Sequence, residues 1–153
     1  MATTVRDYIE RAKIVQNSIK GYVDDIALMK ENEITNLNII QIENSKGNDN
    51  QFLKNTNSKL FKGVYSLTTQ SINPSKTAGS LYTFFETGDF LNNFNIEVNN
   101  NKMNIYSTGT GSGLKKSFFD GYPTIYGLTT ENQRIVNYEI IYPELMKFIK
   151  QYL

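Results

Sequence analysis

Residues 108–119 read Thr-Gly-Thr-Gly-Ser-Gly-Leu-Lys-Lys-Ser-Phe-Phe, a run of the residue types that cradle phosphate. A Walker loop needs a second Gly five positions after the first. Lys then neutralises the phosphate and a hydroxyl holds magnesium. Counted from Gly109, that second Gly position holds Leu114; Lys115 is in place, but Lys116 stands where the hydroxyl must be. The dinucleotide pattern fails at the same Leu114. The residues instead predict a loop joining a strand to a helix, with Lys115 and Lys116 solvated. A loop at the end of a hairpin is also where a subunit can reach a neighbour. Gly109, Gly111 and Gly113 are therefore candidate interface positions.

The carboxylates offer no acid–base pair. Asp24 and Asp25 are adjacent, so on a helix they point in different directions. Glu86 and Asp89 flank a turn, where Asp89 is explained by capping beside Thr87 and Gly88. A calcium loop would need its Gly later than Gly47 stands in Lys-Gly-Asn-Asp-Asn-Gln-Phe. The chain has no His and no Cys. That removes disulfides, thiolate nucleophiles, the usual zinc sites and the commonest general base near neutral pH. The residues predict no catalysis, no cofactor and no metal. A cell-wall hydrolase acting through carboxylates is the minor alternative.

The elements that would position any site follow from the pattern along 153 residues, the usual size of one domain. Residues 1–153 are read as a single domain, with a helical N-terminal arm over 1–43, a sheet region over 80–108 and a C-terminal helical segment over 129–153. A net charge of +1 supplies no field for nucleic acid or an anionic membrane. The N-terminal residues are charged and amphipathic, without the apolar run of a signal peptide, and no segment is long enough to span a membrane. Folding in a cytoplasm is expected. The abundant asparagines are read as the imprint of an AT-rich coding genome.

A helix is predicted from Thr4 to about residue 30, opened by an acidic capping box of Thr4 and Asp7. Its apolar stripe is Val5, Tyr8, Ala12, Val15, Ile19, Tyr22, Ile26 and Met29. A second helical stretch follows, with Ile34, Leu37 and then Ile40 or Gln41; it either continues the first helix or folds back on it as a hairpin. Residues 44–58 and 73–80 read as loops, with a short helix between them. Phe94, Ile96, Val98, Met103 and Ile105 alternate with polar residues around Asn99–Asn101 and predict a β-hairpin with one apolar face. A short helix is expected after the glycines. The last helix is predicted to start with a capping box of Thr130 and Gln133. Its stripe is read as Ile135, Tyr138, Ile141 or Tyr142, Leu145, Ile149 and Tyr152, broken or kinked at Pro143, which can also start a second helix at its first position. The class is α+β: a long N-terminal helix, a central antiparallel hairpin and a C-terminal helix or helix pair.

Residues 81–109 carry a Thr87-Gly88 turn, an aromatic Phe90 and then the hairpin. This order resembles the small tail-completion, or head–tail connector, proteins of tailed bacteriophages. The ending, with Gly127, Leu128 and Thr129 before a terminal helix, is similar to related proteins of Bacteroidetes prophages and crAss-like phages. The chain departs from the family in having Phe84-Phe85-Glu86 where Pro often precedes the turn, and Phe90 for the usual Leu. The resemblance implies an α+β ring subunit of the virion, assembled in the host cytoplasm between portal and tail, with portal and tail proteins as partners. It implies no catalysis, no specific nucleic-acid binding and no membrane.

The residues point the same way. A stripe longer than one small domain covers needs a partner, and rings close through head-to-tail interfaces. A hairpin edge can add to a neighbour's sheet. The candidate interface is therefore Val15, Ile19, Tyr22, Ile26 and Met29 of the stripe, with Thr87, Gly88 and the three loop glycines. A small monomeric binding or regulatory protein without catalysis is the runner-up.

Overall fold

The structure is a computed structural model, and it describes residues 4–54, 56, 63–85, 88–99, 102–110 and 121–152. Helix α1 spans Val5–Met29. At its start Thr4 Oγ1 accepts from the Asp7 amide at 3.3 Å, and Asp7 Oδ2 accepts from the Thr4 amide at 2.7 Å. Both halves of the expected capping box form, so two otherwise orphaned donors are satisfied.

Helix α2 spans Glu31–Glu43. Of the two readings of this region, neither holds. The helices meet at one residue, Lys30, whose φ of −101° and ψ of 16° leave the helical basin. The Lys30 amide still bonds back to Ile26 and its carbonyl forward to Ile34. The break lets each helix bury its own face: Ile26 and Ala27 from α1, and Ile34, Thr35, Asn38, Gln41 and Ile42 from α2.

The hairpin forms as predicted. Strands β1, Phe94–Asn99, and β2, Lys102–Ser107, pair antiparallel with Ile96 opposite Ile105 and Val98 opposite Met103. Phe94, Ile96 and Ile105 are buried, and Val98 and Met103 are half-buried against the same core. The outward backbone N–H of Ile96 donates to Glu31 Oε1 at 2.8 Å, tying β1 to the first turn of α2.

Two short helices lie between these elements. Helix α3, Leu67–Ile72, starts at an N-cap Ser66, later than the short helix expected in that region, and the segment before it at 57–62 lies outside the described residues. Helix α4, Asp89–Asn92, follows Gly88, which takes the left-handed φ of 82° that a side chain resists. The short helix expected after the glycines falls mostly on 111–120, also outside the described residues.

The C-terminal segment comprises α5, Thr130–Ile135, a π-helical turn at Val136–Ile141 and α6, Tyr142–Tyr152. One expectation is corrected here. The N-cap is Thr129, whose hydroxyl accepts from the Asn132 amide, while Gln133 bonds to the Leu128 carbonyl. Pro143 does not break the helical run; it stands in the first turn of α6, one of the places expected for it. The Tyr142 amide reaches back five residues to Asn137, and the widened turn accommodates the missing donor at Pro143. The extra residue also moves the buried face: Val136, Ile140 and Phe148 are inside, while Tyr138 and Tyr142 are exposed.

Residues 122–129 cross α2 as a loop, and carboxamides hold it there. Asn38, 0% exposed, donates to Ile125 O at 3.1 Å and accepts from Gly127 N at 3.0 Å. Gln41 repeats the pattern one turn on, donating to Gly127 O at 3.1 Å and accepting from Thr129 N at 3.0 Å. Asn48 adds a bond to Tyr126 O at 2.8 Å. These side chains take the place of a neighbouring strand's peptide groups, which a buried loop otherwise lacks.

Candidate interaction surface

The N-terminal stripe decides what α1 can do. Its positions advance in strict alternating steps of three and four from Val5 to Met29, the spacing of a two-helix seam. Helix α6 closes the second half of that seam. Tyr22 stacks on Phe148 with ring centroids 4.1 Å apart, and Phe148 meets Tyr152 at 5.1 Å. Glu144 lies close enough to Lys30 to act on its charge, so α6 runs antiparallel to α1.

Burial divides the five stripe residues expected at an interface. Val15 is buried, Ile26 is 0% exposed, and Ile19 and Tyr22 are half-covered within their own fold. Only Met29, 68% exposed, is open among the five stripe residues chosen. The open part of the seam lies earlier. Val5, at 77% exposed, with Tyr8, Ile9 and Ala12, faces solvent along the first turns of α1. The missed signal was length. Helix α6 has 11 residues against 25 in α1, so it can cover less than half of the stripe.

The glycines divide in the same way. Gly109 is a contact glycine: a Cβ there would lie 2.7 Å from the carbonyl carbon of Asp89 and 2.9 Å from Phe90 Cα. Around it, Ser107 Oγ donates to Phe90 O at 2.7 Å, Gly109 N donates to Ser107 Oγ at 3.1 Å, and Thr110 N donates to Asp89 Oδ2 at 2.8 Å. Its role is to let the end of β2 lie on the backbone of α4. Gly88 is buried beside it. Thr87, Gly111 and Gly113 lie outside the described residues, as do Lys115 and Lys116.

Among the described residues, no three carboxylates gather as a metal site would require. The shifted groups sit at helix ends and in the aromatic cluster. The Thr4 backbone and hydroxyl hold the Asp7 carboxyl below its usual range, Glu33 raises Lys30, and Lys147 lowers Glu144. Burial raises Tyr82, which meets Tyr65 edge-on at 4.9 Å. An open groove of about 470 Å³ beside β2 is lined by Asn48, Met103, Ile105, Gly127, Leu128 and Gln133, with no ionisable group among them. No described helix is long and apolar enough to cross a membrane. Comparison with protein-family models, with curated proteins and with solved structures finds no match for this chain.

Proposed function

We propose that the chain is a structural subunit of the head–tail connector or tail ring of a tailed bacteriophage, packed between portal and tail proteins. One observation carries the reading. An apolar seam runs on, in unbroken register, beyond the body that covers its second half, and presents Val5, Tyr8, Ile9 and Ala12 to solvent. A domain that buries its own core yet extends such an arm is built to attach. The order of turn, hairpin and terminal helix shared with tail-completion proteins supports the same reading. A net charge of +1 would let DNA pass through a ring of such subunits without strong retention.

The test is made in particles. Ile9→Asp places a charge on the open seam without touching the core, so the free protein keeps its circular dichroism. Virions assembled with it should lack tails or leak DNA. Tailed, infectious particles, or absence of the protein from purified virions by mass spectrometry, would replace this reading with a monomeric binding module.

A further inference from the structure

We infer that the outer edge of β2 takes up an extended, uncharged segment of another protein as a third strand of the sheet. Ile96 lies opposite Ile105 and turns its N–H away from β2, toward Glu31. The Ile96–Ile105 and Val98–Met103 pairs are therefore the non-bonded ones of the antiparallel ladder, and Glu97–Asn104 between them is a bonded one. Met103 and Ile105 thus point their N–H and C=O groups outward, away from β1. Among the described residues these groups meet no hydrogen-bond partner, and the sheet ends at β2. The two edges differ, because Glu31 occupies the outer edge of β1 while that of β2 is left open.

Unpaired ladder groups select their occupant. A helix has closed its own backbone bonds and would leave them unmet, whereas an extended backbone meets them all. The groove beside β2 has room for such a backbone. Met103 and Ile105 form one side of it, and Asn48, Gly127, Leu128 and Gln133 the other. With strands ~4.8 Å apart, sheet faces ~10 Å apart and ~3.3 Å of rise, one strand residue occupies ~160 Å³. The groove of about 470 Å³ then holds about three residues, as many as face the stretch from Met103 to Ile105. A second copy would bring its whole hairpin and the core behind it, which is more than this space admits.

The side chains set the pattern of the added segment. Met103 and Ile105 face the core, and Asn104 between them faces solvent. A strand laid beside them carries apolar residues at alternate positions and polar ones between. No ionisable group lines the groove, so a charge at an inner position would be buried without a partner. The inference uses residues apart from the α1 arm and does not rest on the connector reading.

Nuclear magnetic resonance on the isotope-labelled full chain tests it, with a short blocked peptide of alternating Thr and Val as the probe. A contact this small is weak, with a Kd on the order of 1 mM, so the peptide is titrated to millimolar concentration. In the free chain the Met103 and Ile105 amides should exchange fast, and the Asn104 amide, bonded to Glu97, slowly. The peptide should shift the Met103 and Ile105 signals and slow their exchange several-fold, leaving the exchange of Asn104 unchanged. The same peptide N-methylated throughout keeps its side chains, loses its edge donors and should not bind. Gln133→Arg sets a charge in the groove from an exposed position and should abolish the shifts. Slow exchange of Met103 and Ile105 in the free chain overturns the inference, and a doubled mass beside it names a second copy as the occupant. Equal binding of the N-methylated peptide, full binding by Gln133→Arg, or no shift at millimolar peptide overturns it as well.

Discussion

Truncating Asn38 to Ala should be among the most damaging polar substitutions in the molecule. The side chain is fully buried and makes two hydrogen bonds, donating to Ile125 O and accepting from Gly127 N. Without it, two backbone groups lose their partners, at ~1–3 kcal/mol each. Gly127 is half-buried and can recover a water, which places the expected loss near 3 kcal/mol, at the lower end of that sum. For a chain of this size that is roughly 6–12 °C in Tm. Asn36→Ala is the control: it lies on the same helix, faces solvent, and should shift stability by no more than about 0.5 kcal/mol. Thermal and urea melts followed by circular dichroism give both numbers. Amide exchange adds a local reading, because the Gly127 N–H should lose protection in Asn38→Ala well before the strand amides do. If Asn38→Ala melts with Asn36→Ala, or Gly127 keeps its protection, the carboxamides do not hold the loop.

Two further outcomes follow from single positions. Gly109→Ala should cost about 1–3 kcal/mol, because its methyl would press on the Asp89–Phe90 backbone, whereas Gly21→Ala, with nothing within 4 Å, should gain about 0.5–1 kcal/mol from helix propensity; equal urea midpoints for the two would contradict the contact assigned to Gly109. The Asp7 carboxyl is held below its usual range by the Thr4 backbone and hydroxyl, so its capping contribution is present above the ordinary carboxylate range and lost as pH falls through the lowered folded value. Protection of the first-turn amides of α1, measured relative to their intrinsic exchange rates, should therefore fall on acidification in the wild type and not in Asp7→Asn, and the same acid response in both would show that Asp7 is not the cap.

The parts of the fold that were legible are those where one residue type has one physical use. Thr4 and Asp7 announce a capping box, and the alternation at 94–106 sets both the hairpin's register and its buried face. Helix α2 was harder because its inner face is partly polar. Gln41 rather than Ile40 points inward, since the carboxamide is needed by Gly127 and Thr129. The asparagines read as genomic bias include Asn38, Asn48 and Asn132, each bonded to a distant part of the chain. No local pattern reveals that, because the partners are 78–95 residues away. The cap at Thr129 was misplaced by one residue for a similar reason: Gln41, far away in sequence, receives the Thr129 amide, and Gln133 is left to bond Leu128. In the candidate surface the stripe was visible in full, but its division into a covered and an open half depended on where α6 docks.

The π turn at Val136–Ile141 works as a phase shifter between two regular helices. One residue beyond a normal turn rotates everything downstream by about 100° relative to everything upstream. Val136 and Ile140 thereby point at the central core while Phe148 points at Tyr22, two directions that a straight helix of the same sequence could not serve together. The C-terminal helix is thus geared to two separate surfaces, and the gearing sets a narrow tolerance to changes in length. Deleting a single residue between 137 and 139 would leave the loop and its carboxamides in place but swing Phe148 off α1, freeing the whole seam at once. Substituting any one of those exposed residues would do nothing of the kind. In this stretch the spacing carries the information, and the identities of Asn137, Tyr138 and Glu139 carry little.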